Sequence, residues 1–184
     1  MNYSERTPAR LMITLIAAAP IFAAAESVRH EAHVHGVAEL TLALEGEYLE
    51  LMLTSAAMSI VGFEHRASAP EQARAVADAE TTLRNASEVF NFTGTRCSPS
   101  SVLVDMSAVM EAGTHEEHGE HQESHTDISA RYKYNCDDTA DLQSLRFGAG
   151  TLPFLLEKIN VMWVSDRGQG ATVLTADNQT IEFN

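Results

Sequence analysis

The chain has 184 residues, 45% of them hydrophobic, with 12 Lys and Arg against 26 Asp and Glu and a formal charge of −14. That length and apolar content suit one globular core, and 10 Gly and 5 Pro without a short period exclude a collagen-like or wholly disordered chain. The acidic balance disfavours nucleic acids and anionic membranes as partners and favours cations.

Arg6 and Arg10 precede an apolar run from Leu11 to Phe22, and Ala23-Ala24-Ala25 then supplies small residues for a peptidase. This pattern predicts a secretory signal peptide over residues 1–25, cleaved after Ala25. The apolar stretch from Leu11 to Ala25 is shorter than the roughly 20 residues a membrane span needs. Losing Arg6, Arg10 and Glu5 with that leader leaves 10 basic and 25 acidic residues, a charge of −15. Residues 26–184 are then expected to form one soluble, exported domain with no membrane insertion after cleavage.

His30-Glu31-Ala32-His33-Val34-His35-Gly36 opens that domain. In extended backbone His33 and His35 point to the same side, which is chelating geometry. Val37–Leu44 and Tyr48–Thr54 alternate apolar and polar residues around Glu45-Gly46-Glu47, the pattern of a β-hairpin. If so, the chain leaving Thr54 for Gly62-Phe63-Glu64-His65 starts from the end where His33 and His35 lie. His33, His35 and His65, with Glu64 as a fourth or outer partner, could then surround a tetrahedral ion. Ser68 and Glu71 resemble a capping box around Pro70, and Val76, Leu83 and Phe90 follow at heptad spacing, predicting one amphipathic helix from about Pro70 to Phe92.

Cys97 and Cys136 are the two cysteines, and an even count in an exported chain reads as a disulfide, with free thiols or metal thiolates as the alternatives. Val102, Val104, Met106, Ala108 and Met110 alternate, as do Tyr132, Tyr134 and Cys136, suggesting two strands tied near their far ends. Leu142–Phe147 is a weaker strand. Ile159–Trp163, Ala171–Thr175 and Thr180–Phe183 complete roughly seven strands, separated by turns at Asp166-Arg167-Gly168 and Asp177-Asn178. The expected fold class is α+β, mainly antiparallel sheet with one long helix, one disulfide and a His-rich inserted loop at 113–127.

That insertion carries His115, His118, His121 and His125 among Glu116, Glu117, Glu120, Glu123 and Asp127, with no Lys or Arg between Cys97 and Ala130. Imidazoles suit Zn, Cu, Ni and Co, and carboxylates add hard donors and neutralise charge. The candidate metal ligands are therefore His30, His33, His35, Glu64, His65, His115, His118, His121, His125 and Asp127. No G-x-S-x-G, phosphate-binding Gly loop or H-E-x-x-H spacing points to catalysis.

His33-Val34-His35-Gly36-Val37-Ala38-Glu39-Leu40, Val61-Gly62-Phe63-Glu64-His65, and the cysteines bracketing a His/Glu-rich insertion together resemble the ZrgA family of periplasmic zinc-binding proteins. Gly168-Gln169, opening the terminal hairpin, fits the same pattern, so the likeness extends over essentially all of 26–184. The resemblance implies Zn²⁺ as the bound ion, His33, His35 and His65 as ligands, and assistance to an ABC-type zinc importer or its binding protein. It implies no catalysis. Two other classes stay open on the residues alone. A copper or nickel chaperone is chemically permitted, and a zinc-dependent hydrolase would need Glu64 as its base.

Overall fold

A computed structural model describes residues 34–110, 126–148 and 154–183. The expected leader at 1–25 and the His-rich tract up to His125 lie outside these residues. The chain order is β1 (Val37–Glu45), β2 (Tyr48–Ala56), α1 (Ala57–Val61), α2 (Pro70–Arg84), α3 (Ala86–Val89), β3 (Phe90–Thr93), β4 (Cys97–Asp105), β5 (Asp127–Cys136), β6 (Ser144–Phe147), β7 (Lys158–Ser165), β8 (Gly168–Thr175) and β9 (Thr180–Glu182).

Alternation builds the main sheet. Leu40, Leu42 and Leu44 of β1 stand opposite Leu53, Leu51 and Leu49 of β2, and all six are buried. Gly46, at φ +55°, closes the turn between them, where a Cβ would be strained. β5 joins β2 and β4 joins β5, both antiparallel, while β7 lies parallel to β1 and pairs antiparallel with β8. The six-stranded order is β4-β5-β2-β1-β7-β8, and β3-β6-β9 form a second, three-stranded sheet. Rings seat the small sheet against the large one. Phe90 meets Tyr132 edge-on at 5.0 Å, Phe92 meets Tyr134 at 4.8 Å and Phe183 meets Trp163 at 5.8 Å. Edge-to-face contacts of this kind place a ring's positive rim on its neighbour's negative face.

The sheets are antiparallel-rich and the helices short, as the alternation requires, but the single helix to Phe92 is not formed. α2 stops at Arg84 and Asn85 breaks the chain, with ψ at 77°. After the short turn of α3, Phe90 enters β3 opposite Phe147. Val76, Leu83 and Phe90 are all buried in the same core, so the heptad is real while its last member sits on a strand. Buried tyrosines from the sheet hold this break: Tyr132 Oη donates to the Leu83 carbonyl at 2.8 Å and Tyr134 Oη to the Ala86 carbonyl at 3.2 Å. The Leu83 carbonyl lies past the helix's last backbone donor and is satisfied by Tyr132, whereas the Ala86 carbonyl accepts from the Phe90 amide as well as from Tyr134.

The helix start differs too. Ala69 has no side-chain acceptor, so the cap is one-sided and comes from Gln72, not from a Ser68–Glu71 box. Gln72 Oε1 accepts from the Ser68 and Ala69 amides at 2.9 and 3.2 Å. The strand expected through Met110 ends at Asp105, whose carboxylate accepts from the Ser107 amide at 2.9 Å and turns the chain. Cys97 and Cys136 are disulfide-bonded directly across β4 and β5. No helix among the described residues is long and apolar enough to cross a membrane.

Candidate metal site

The starts of β1, β5 and β7 and the end of β2 share one end of the large sheet, opposite the disulfide. Gly36 organises that end. Its φ is +80°, and a Cβ there would stand 3.0 Å from Glu157 Cγ, so glycine alone fits without strain. Its amide donates to Ser59 Oγ on α1 at 2.9 Å, and its carbonyl accepts from the Glu157 and Lys158 amides at 2.7 and 3.1 Å. α1 and the start of β7 are thus both pinned to the residue after His35.

α1 then ends at Gly62, at φ +86°, whose amide bonds the Met58 carbonyl. This left-handed cap turns the chain so that Phe63 is buried and Glu64 reaches His35. His35 Nε2 and Glu64 Oε1 lie 2.9 Å apart, with side chains 56% and 34% exposed, so the pair is open to an ion from solvent. Donors on a tetrahedral zinc at ordinary bond lengths sit about 3.3 Å apart. A small opening of this pair would therefore bring the two donors to the separation a zinc ion requires.

His65 faces differently. Its ring packs on Phe63 with centroids 5.1 Å apart, and Nδ1 bonds the Arg66 carbonyl at 2.8 Å. Among the described residues no three His, Cys, Asp or Glu converge as a metal cluster, so His65 does not join His35 and Glu64 as the hairpin geometry suggested. Asp127 begins β5 opposite Ala56 at the same end of the sheet. His30, His33, His115, His118, His121 and His125 lie outside the described residues.

Both stems of the insertion are nonetheless fixed here. The Ala67 amide donates to the Val109 carbonyl at 2.8 Å, Arg66 Nη1 to the Met110 carbonyl at 3.5 Å, and the Ala57 amide to the Thr126 carbonyl at 2.8 Å. The segment that carries Glu64 and His65 thus holds the chain immediately before and after the His-rich tract. Ser59, Gln72 and Glu157 were not singled out from the sequence. A lone serine, or a glutamine in the first turn of a helix, carries no local sign of such a role.

The model of the ZrgA family of zinc uptake proteins matches residues 32–183. The chain belongs to that family. The match runs from one residue before His33-Val34-His35-Gly36 through β9, and so takes in the Gly36 turn, the Glu64–His65 loop and the cysteines around the insertion. Family membership ties the chain to zinc and its uptake. A comparison with curated proteins returns no match.

Proposed function

We propose that this ZrgA-family chain is a periplasmic, non-enzymatic zinc-binding protein that scavenges or buffers Zn²⁺ and assists its import by an ABC-type transporter. The observation that carries the reading is the His35–Glu64 contact at the end of the fold where both stems of the His-rich insertion are anchored. Borderline-soft imidazole with a hard carboxylate is a zinc donor pair, and His33, two residues upstream, is the nearest further imidazole in sequence. The insertion's four His would collect metal with modest selectivity, and the His35 end would hold it more tightly. Glu64 is engaged with His35, which favours a ligand role over that of a hydrolytic base. Imidazole must be unprotonated to bind, so acidification through about pH 6.5 would release the ion.

The test is Zn²⁺ titration of residues 26–184 against a chromogenic chelator, beside a variant lacking residues 114–125. Tight competition should survive the deletion, and His35→Ala in that background should weaken it about 10- to 100-fold, the scale seen when a zinc site's surroundings are altered. Loss of all competition with the deletion would move the site to the insertion. Preference for Cu²⁺ or Ni²⁺ beyond the Irving–Williams order would favour the chaperone reading.

A further inference from the structure

We infer that β8 is a self-pairing edge, along which two copies of this chain join antiparallel about a two-fold axis at Ala171. β4 and β8 are the outer strands of the large sheet, and an outer strand presents backbone groups that another chain can pair with. β4 is guarded: Pro99 lacks an amide donor, the register slips between Pro99 and Ser101, and Asp105 ends the strand. β8 reads Gly168-Gln169-Gly170-Ala171-Thr172-Val173-Leu174-Thr175, with no charge, no proline and no slip in its pairing to β7. Ser165 and Gly168 stand opposite each other at the β7–β8 turn, so Gln169, Ala171, Val173 and Thr175 direct their amides and carbonyls away from β7. Thr175 uses both groups on Asn178, at 2.8 and 3.2 Å. The other three are exposed and have no outward backbone partner among the described residues.

A two-fold at Ala171 satisfies all three together. Ala171 then stands opposite the second copy's Ala171, and Val173 opposite its Gln169, each as a hydrogen-bonded pair. The small Ala171 side chains do not crowd the axis, and no like charges face each other across it. The neighbouring side chains favour the same union. Met162 and Val164, each 53% exposed, stand beside Ala171 and Gln169 on one face, and Val173 is 46% exposed. Pairing joins them into one apolar strip across the junction. Charge selects the antiparallel sense, because Arg167 just before β8 and Asp177 shortly after it are both exposed. Antiparallel copies bring the Arg167 end of one to the Asp177 end of the other, whereas parallel copies would bring like charges together. Thr175 pairs with Lys158, whose amide bonds Gly36, so this two-fold leaves the His35 turns at opposite ends of the joined sheet.

This pairing is independent of zinc, so it is tested with a chelator present and no metal to bridge two copies. Sedimentation equilibrium of residues 26–184 from about 1 to 100 μM should show the mass rising to twice that of the monomer. A monomer throughout would overturn the pairing. Ala171→Lys and Ala171→Glu each set like charges opposite one another at the axis and should weaken association about tenfold or more. Both new side chains lie on the exposed face of an edge strand, so the melting temperatures should stay within a few degrees of wild type. An equimolar mixture of the two variants should associate again, since Lys then faces Glu across the axis. Single variants that still associate like wild type, or a mixture that stays monomeric, would overturn the Ala171 register. Hydrogen exchange reads the unsubstituted edge directly. The Gln169, Ala171 and Val173 amides should slow about tenfold between the dilute and concentrated ends of the range, and rates independent of concentration would overturn the pairing.

Discussion

Gly36 shows how much of the candidate site depends on the absence of one methyl group. Its left-handed backbone lets His35 turn toward Glu64 while the same residue bonds Ser59, Glu157 and Lys158. Gly36→Ala should cost about 1–2 kcal/mol for a non-glycine residue held at positive φ, with a further clash against Glu157 Cγ. Thermal unfolding should record that loss, and zinc competition should weaken in the same variant because the His35 turn is displaced. Tyr132 and Tyr134 make a second residue-scale case. Burial pushes both phenols well above their ordinary value, and for Tyr132 the neighbouring Tyr134 adds to it. Because the folded pKa is raised, the stability it contributes is complete below the unfolded value near 10 and is lost as pH rises beyond it. Alkaline unfolding should therefore set in above about pH 10. The double Tyr→Phe variant should start less stable, by about 1–3 kcal/mol for the Leu83 carbonyl left without a donor while Ala86 keeps the Phe90 amide, yet lose less as pH rises.

Among the elements, the disulfide and the interrupted helix carry the lesson. Cys97 and Cys136 close a loop of 39 positions at the end of β4 and β5 remote from His35. The bridge ties the strands whose far ends open into the insertion. In the chain-entropy account a loop of this size is worth about 4 kcal/mol. The Cys97→Ser, Cys136→Ser variant should lose stability on that scale in urea unfolding, while its zinc competition at a temperature where it stays folded should match wild type. A fall in zinc affinity at unchanged fold would show the two ends of the sheet to be coupled. As for α2, the stripe Val76, Leu83 and Phe90 was legible as apolar, but period seven cannot report where a helix gives way to a strand. Phe90 is buried in either geometry, and Asn85, a weak helix former, is the sole local sign of the break. The end of β4 was obscured in the same way, since Met106 continues the alternation and is buried even after the chain has turned.

Across the whole molecule, composition and alternation were sufficient for class, and pairing was not. The antiparallel hairpin of β1 and β2, the terminal hairpin of β7 and β8, the cysteine pair and the acidic, histidine-rich character follow from residues near one another in sequence or from counting. Period-two burial is a local property, because successive side chains must point to opposite faces. What the tertiary structure decided is which distant pieces meet. The parallel pairing of β1 with β7 joins Val37 to Lys158 across the length of the chain, and it is this pairing that brings Glu157 under Gly36. The contact of His35 with Glu64 depends on a five-residue helix and a left-handed glycine that no periodicity announces. Likewise His65 had the right residue type for a ligand, but its ring direction is set by Phe63, Arg66 and Gln72. The sequence by itself therefore determined that the chain is an antiparallel-rich domain rich in zinc donors. Only the fold decided which donors touch, because contact between residues far apart in sequence is fixed by strand register and turn geometry, and neither is written in any single stretch of the chain.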